Sequence, residues 1–161
     1  MDESVSTEEA AGKGEAAEPL ALLRALFARE RLGVLATHGP EHPYASLVAV
    51  RAADDLRHLY FSTTRATRKF AFLTSDPKVA MLVDSRSADD VDFHQAVAAT
   101  AVGTARELGG DEREEQLAAF LQRHPQLRSF AGSPSSALVE LAVDTYYIVR
   151  RFQNVTELHL R

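Results

Sequence analysis

The residues of this chain best suited to chemistry lie in the run Leu59-Tyr60-Phe61-Ser62-Thr63-Thr64-Arg65-Ala66-Thr67-Arg68-Lys69. A strand-like apolar segment ends in three hydroxyl residues. Arg65, Arg68 and Lys69 follow where a short helical pattern begins. The first N–H groups of a helix have no partner within it and carry partial positive charge. Hydroxyls add donors, and arginine adds a planar fork matched to phosphate oxygens. Ser62, Thr63, Thr64, Arg68 and Lys69 are therefore a candidate phosphate seat. The same residues also read as an ordinary hydroxyl-capped helix with solvated cations, and no glycine-rich Walker loop decides between the two.

Other chemistries find less support. The chain has no cysteine, which excludes disulfides, zinc–thiolate sites, iron–sulfur clusters and thiol nucleophiles. His38 and His42 are four apart across a Gly-Pro turn, not along one helix face, and no histidine shares a ligand spacing with a carboxylate. No metal site is expected. Asp89, Asp90 and Asp92 lack the glycine and distal glutamate of a calcium loop and read as solvated. No Gly-x-Ser-x-Gly elbow is present.

The net charge of −5 is concentrated at the start of the 161-residue chain. Asp2, Glu3, Glu8, Glu9, Glu15 and Glu18 stand against Lys13 alone, so the remaining residues sum to zero. No broad basic field exists for nucleic acid. No run approaches the roughly 20 apolar residues of a membrane helix. The acidic start is the reverse of a secretory signal, so a cytoplasmic protein is expected. Residues 1–18 are too poor in large apolar side chains to offset the entropy of ordering and are expected to form a disordered tail. Residues 19–161 are expected to form one domain.

The elements that must position the candidate seat follow from periodicity. Pro19 opens a helix carrying Leu20, Leu22, Leu23, Leu26 and Phe27. Leu32–Thr37, Pro43–Arg51 and Leu56–Ser62 read as three strands joined by short turns, an antiparallel meander. In the second, Tyr44, Ser46, Val48 and Val50 share one face, and Ala45, Leu47 and Ala49 the other. A short helix spans Ala66–Thr74, and Lys78–Asp84 is a fourth strand. Phe93–Leu108 is read as one long strand, because its β-branched residues outweigh its alanines, with a bend or bulge near Gly103. Asp111 caps an amphipathic helix to Arg123, with Glu114 closing a capping box. Ala137–Phe152 is a strand pair or one long bent strand, and Asn154–Leu160 adds a last short one. The fold class is mainly β with flanking helices, an antiparallel barrel of six to seven strands.

Several of these segments resemble the pyridoxamine 5′-phosphate oxidase-like, FMN-binding split-barrel superfamily. They are Leu32-Gly33-Val34-Leu35-Ala36-Thr37 with Pro43-Tyr44-Ala45-Ser46-Leu47-Val48, then Leu59–Thr64 leading to Lys69, then Asp76–Val83, and finally Val102-Gly103-Thr104-Ala105. The resemblance implies a split β-barrel with FMN at the interface of a homodimer. It implies that Ser46, Leu47 and Val48 run beside the flavin ring. It places the phosphate on Ser62, Thr63, Thr64, Arg68 and Lys69, which is the seat argued above. It adds Gln95 as a polar contact to the ring, and Phe152 and Gln153 as contacts from the partner subunit. The implied activity is that of an FMN-dependent oxidoreductase acting on a small molecule. The deazaflavin F420 and haem are alternative ligands, with His94 or His159 as the haem ligand. A non-catalytic flavin or haem carrier, or an empty dimerisation domain, also fits the fold. The chain lacks the C-terminal substrate-binding extension of pyridoxamine phosphate oxidases, so the vitamin B6 reaction is not expected.

Overall fold

Alternating apolar residues build seven strands, and the computed structural model of the chain describes them within residues 18–160. The expected acidic tail up to residue 17 lies outside the described residues. Glu18 instead belongs to the first helix, α1 (residues 18–29), and its carboxylate meets Arg150 at 2.7 Å. The strands are β1 (Leu32–His38), β2 (Pro43–Ala52), β3 (His58–Thr64), β4 (Lys78–Asp84), β5 (Val97–Glu107), β6 (Ser136–Arg150) and β7 (Asn154–His159). All pairings are antiparallel, in the order β3-β2-β1-β4-β5-β6-β7. A further pairing of β3 with β6 closes six strands into a barrel, and β7 extends the sheet outside it. This is the split barrel that the strand pattern and the resemblance lead one to expect.

Apolar side chains fill the barrel, and helices cover its openings. Leu23, Leu26 and Phe27 of α1 enter the main core beside Val50, Leu56 and Tyr146. The Phe27 and Tyr146 rings meet edge-on at 6.3 Å, and the Tyr146 hydroxyl donates to Leu56 O at 2.6 Å. Helix α2 (Arg68–Ser75) packs across β1, β2 and β5, with Leu73 in the core and Phe72 edge-on to Tyr44 at 5.7 Å. Helix α4 (Gly110–Arg123) forms a second core outside the barrel, where Leu117 and Phe120 meet Tyr60, Leu108 and Leu138. That layer explains why β3 is buried on both faces rather than alternating.

A polar chain runs beside this second core. Arg51 Nη2 donates to Gln116 Oε1 of α4, and the Arg51 guanidinium lies over the Tyr60 ring at 4.7 Å. Tyr60 Oη donates to Glu140 Oε2 at 3.3 Å, and Arg106 Nε donates to Glu140 Oε1 at 3.1 Å. Burial, reinforced by the Glu140 charge, pushes the Tyr60 phenol up to about 12.

Local readings needed correction at several points. Phe93–Leu108 is not one strand: helix α3 (Asp92–Gln95) precedes β5, because the amides of His94 and Gln95 turn back to Val91 O. Helix α4 starts at Gly110 with Gly109 as its N-cap and no side-chain capping bond; Asp111 and Glu112 lie in the first turn, where they oppose the helix dipole. Residues 125–131 hold a 3-10 turn (Pro125–Leu127) and helix α5 (Arg128–Ala131), a stretch to which periodicity assigns no element. The segment from Ser136 is one continuous strand of 15 residues.

The bulge expected at Gly103 is present. The β5–β6 register shifts between Val102 and Gly103, and a Cβ on Gly103 would lie 1.9 Å from Ala142 O. The obstacle is backbone of the central pairing, so Gly103→Ala is expected to cost about 1–3 kcal/mol or more in urea unfolding. A variant as stable as the parent would contradict this register.

His124 caps the end of α4 in a buried position, only 1% exposed, against Phe120 and with Nε2 at 3.0 Å from Val50 O. Desolvation holds its imidazole below the ordinary value. The unfolded chain therefore binds a proton more readily than the folded one. This contribution to stability is complete above roughly pH 6.5 and falls away as pH drops below it. Unfolding free energies measured from pH 7.5 to 5.5 are expected to decline less steeply in His124→Gln than in the parent; equal slopes would remove His124 as the cause.

Candidate cofactor site

The barrel closes unevenly, and the candidate residues gather where it opens. β3 pairs with β6 along its whole length, from His58↔Ala142 to Thr64↔Ser136. With β2 it pairs only from Val50↔Phe61 to Ala52↔Leu59. The two strands then separate, so the earlier part of β2 has one edge without a ladder partner. Which amides face that edge follows from alternation in an antiparallel pair. Val50 N donates to Arg31 O on the β1 side. Ser46 and Val48 therefore turn their amides to β1, and Leu47 and Ala49 turn theirs to the open side. Across the split lie Ser62, Thr63 and Thr64, the hydroxyl end of β3.

Those hydroxyls differ in availability. Ser62 Oγ donates to Ala137 O at 3.2 Å inside the barrel wall. Thr63 is buried, with Oγ1 at 2.9 Å from Thr67 Oγ1. Thr67, missed in the sequence, is the N-cap of α2 and accepts from Phe70 N at 3.3 Å. Its signal was the β-strand-to-helix change itself, which favours Thr at the cap. Thr64 is half-buried, and its hydroxyl bonds to no described residue. Ser46 Oγ is enclosed and also has no hydrogen-bond partner among the described residues.

The cations divide in the same way. Arg65 is bound to Glu107 Oε1 at 2.6 Å and to Pro134 O at 2.8 Å, so its charge is already met. Arg68 and Lys69 begin α2, one exposed and one half-buried, and neither has an ion pair among the described residues. Arg68 lines a cleft of about 270 Å³ with His42 and Phe72, and Glu41 is its acidic member. Two cations at the start of α2 thus follow directly on the Thr64 hydroxyl, and the end of β3 that carries this hydroxyl lies across the split from the unpaired edge of β2. This arrangement can hold a dianion and present amide donors to a flat polar ring next to it.

Gln95, Phe152 and Gln153 lie elsewhere on the protomer. Leu47 opposes Val34, Val34 opposes Leu82, Leu82 opposes Thr100 and Thr100 opposes Tyr147. These outward residues form one rung around the barrel, and four strand spacings of about 4.8 Å separate its ends. Exposed Gln95 and Phe152 sit beyond the far end of that rung, where Phe152 meets Phe93 at 5.6 Å over a groove of about 470 Å³. Arg151 and Phe152 adopt left-handed φ angles of 51° and 64° in the β6–β7 turn, a costly conformation for such side chains. Within one protomer these three residues do not meet the phosphate seat.

The outward rung is itself informative. Leu47 is 64% exposed, Phe152 is 68% exposed, and Leu32, Tyr147 and Val155 share the same side. Several large apolar side chains thus stand exposed on the outward side of the sheet. The sequence concealed them because β1 and β4 carry apolar residues on both faces. Among the described residues no three His, Asp or Glu side chains are arranged to hold a metal. His94 is exposed in α3, and His159 is engaged with Thr145 Oγ1 at 3.0 Å and Glu157 at 3.2 Å.

Comparison with known proteins agrees with the fold. A profile of the family described as pyridoxamine 5′-phosphate oxidase matches residues 21–150. No curated protein matches the sequence. Among solved structures, a heme binding protein from Mycobacterium smegmatis superposes with a TM-score of 0.75 at 20% identity. That alignment covers 84% of this chain but only 55% of the Mycobacterium protein. A FAD-binding protein from Mesorhizobium loti gives 0.63 at 18% identity, covering 81% of this chain and 90% of its own. A Clostridium acetobutylicum protein of the pyridoxinephosphate oxidase family, related to general stress protein 26, gives 0.68 at 16%, covering 89% and 95%. No helix among the described residues is long and apolar enough to cross a membrane.

Proposed function

This chain belongs to the pyridoxamine 5′-phosphate oxidase family, and we propose that it is an FMN-binding oxidoreductase of a small-molecule substrate, working in the cytoplasm as a homodimer. The observation that carries the proposal is the pair of cations, Arg68 and Lys69, without an ion pair among the described residues, that opens α2 directly after the hydroxyl end of β3, across the split from Leu47 and Ala49. Each part answers a part of FMN. Arg68, Lys69, the Thr64 hydroxyl and the first amides of α2 hold the phosphate dianion. The open amides of Leu47 and Ala49 border the ring, and Ser46 and Val48 fix that stretch of β2 through their amides to β1. Ser62 and Thr63 support the seat from behind by fixing β3 and the α2 cap.

Bound FMN supplies hydride and electron chemistry, and the protein supplies position and electrostatics. Leu47, Val34 and Leu82 exclude water when a second copy covers the outward face. In that dimer the partner subunit brings its Gln95, Phe152 and Gln153 to the ring, which a single protomer cannot do. Amide donors along β2 match the polar edge of a flavin. The carbon rim of a haem has no use for them, so haem is the weaker alternative despite the Mycobacterium smegmatis neighbour. F420 would use the same phosphate seat.

Each charged hydrogen bond contributes about 1.5–3 kcal/mol. Arg68→Ala with Lys69→Ala is therefore expected to weaken FMN binding at least about a hundredfold in an absorbance titration, with an unchanged circular dichroism spectrum. Unaltered affinity would remove the seat. Leu47→Asp places charge on the apolar face and is expected to shift sedimentation from dimer to monomer. A parent protein that is monomeric while binding FMN tightly would contradict the shared site.

A further inference from the structure

Three arginines converge on a cleft at the end of β2 remote from the phosphate seat. The cleft, of about 390 Å³, lies between α1, the β2–β3 turn and the end of α4. Arg24, Arg51 and Arg123 line it, with Phe27 and Leu56 as apolar wall and Asp54 as its single acid. Several arginines elsewhere meet carboxylates: Arg65 pairs with Glu107, Arg86 with Asp84, Arg106 with Glu112 and Arg150 with Glu18. None of the three cleft arginines does so among the described residues. Arg123 Nη2 donates to the carbonyls of Phe27, Ala28 and Glu30, closing the end of α1. Arg51 has only the neutral Gln116 amide and the Tyr60 ring, and its Nε is enclosed without a partner. Arg24 is exposed and bonds to no described residue.

We propose that this cleft is a binding site for a small organic monocarboxylate with an apolar body. Two positive charges in excess, partly withdrawn from water, favour an anion held between them. Guanidinium forks match the planar carboxylate bidentately. The Phe27 and Leu56 wall takes the apolar body, and Asp54 opposes a second negative charge. Burial lowers the Arg51 guanidinium from its ordinary value, against the opposing charge of Asp54. Tyr60, whose ring carries the Arg51 guanidinium, and Thr64 of the phosphate seat are four residues apart on β3, about 13 Å, so the two anion sites are separate.

The test is a titration of the full chain with benzoate, its neutral isostere benzamide and sodium sulfate, followed by amide chemical shifts. Saturable benzoate binding is expected to shift Ala28, Ala52 and Ala53, with no response to benzamide. Arg24→Gln removes an exposed side chain without partners and is expected to weaken benzoate at least tenfold, with partial recovery in Arg24→Lys. Absence of saturable benzoate binding, equal binding of benzamide, equal binding of sulfate, or full affinity in Arg24→Gln would each overturn the proposal. The isostere comparison on the parent protein decides the matter even if the variants are unstable.

Discussion

The divergence of β2 from β3 after Phe61 is the constraint on which the rest depends. A strand in a closed barrel ordinarily has partners on both sides, because a buried backbone amide without a bond costs as much as a lost hydrogen bond. Here β3 keeps β6 and releases β2. The released edge persists because α2 packs at that end of the barrel and Thr67 fixes where the helix begins. The backbone donors at Leu47 and Ala49 and the cations of α2 are consequences of the same parting.

Much of the remaining structure serves to hold that opening in shape. Ser62 and Thr63 carry hydroxyls that look available in sequence but bind the wall and the helix cap. The second core under α4 buries the outer side of β3, and the chain from Gln116 through Arg51, Tyr60 and Glu140 to Arg106 ties α4 to β2, β3, β5 and β6. β3 is thereby held on both faces, although the neighbour it leaves is the one that borders the site. The apolar outer face stands apart from this support.

Features set by adjacent residues were legible in the sequence. The hydroxyl run before a basic helix marked the end of β3 and the start of α2, the alternation in β2 gave its two faces, and Gly103 among β-branched residues marked the bulge. Features set by distant pairing were not. Nothing local in Ser62 or Thr63 says that β3 will choose β6 over β2. The outward rung from Leu47 to Tyr147 exists only once four registers are known. Short-range competition caused the smaller misses: Phe93, His94 and Gln95 close one helical turn before β5, and a Gly-Gly start displaced Asp111 from the cap of α4. The arginine cleft was hidden for the same reason as the rung, since its three members lie on three elements.

FMN and riboflavin share the ring and differ in the phosphate, so their relative affinity isolates the seat at Thr64, Arg68 and Lys69. Calorimetric titration of the purified protein with each is the most direct measurement. FMN is expected to bind at least about a hundredfold more tightly, in proportion to two charged contacts. Equal affinities, or no binding of either, would contradict the assignment of this split as a phosphate-anchored flavin site.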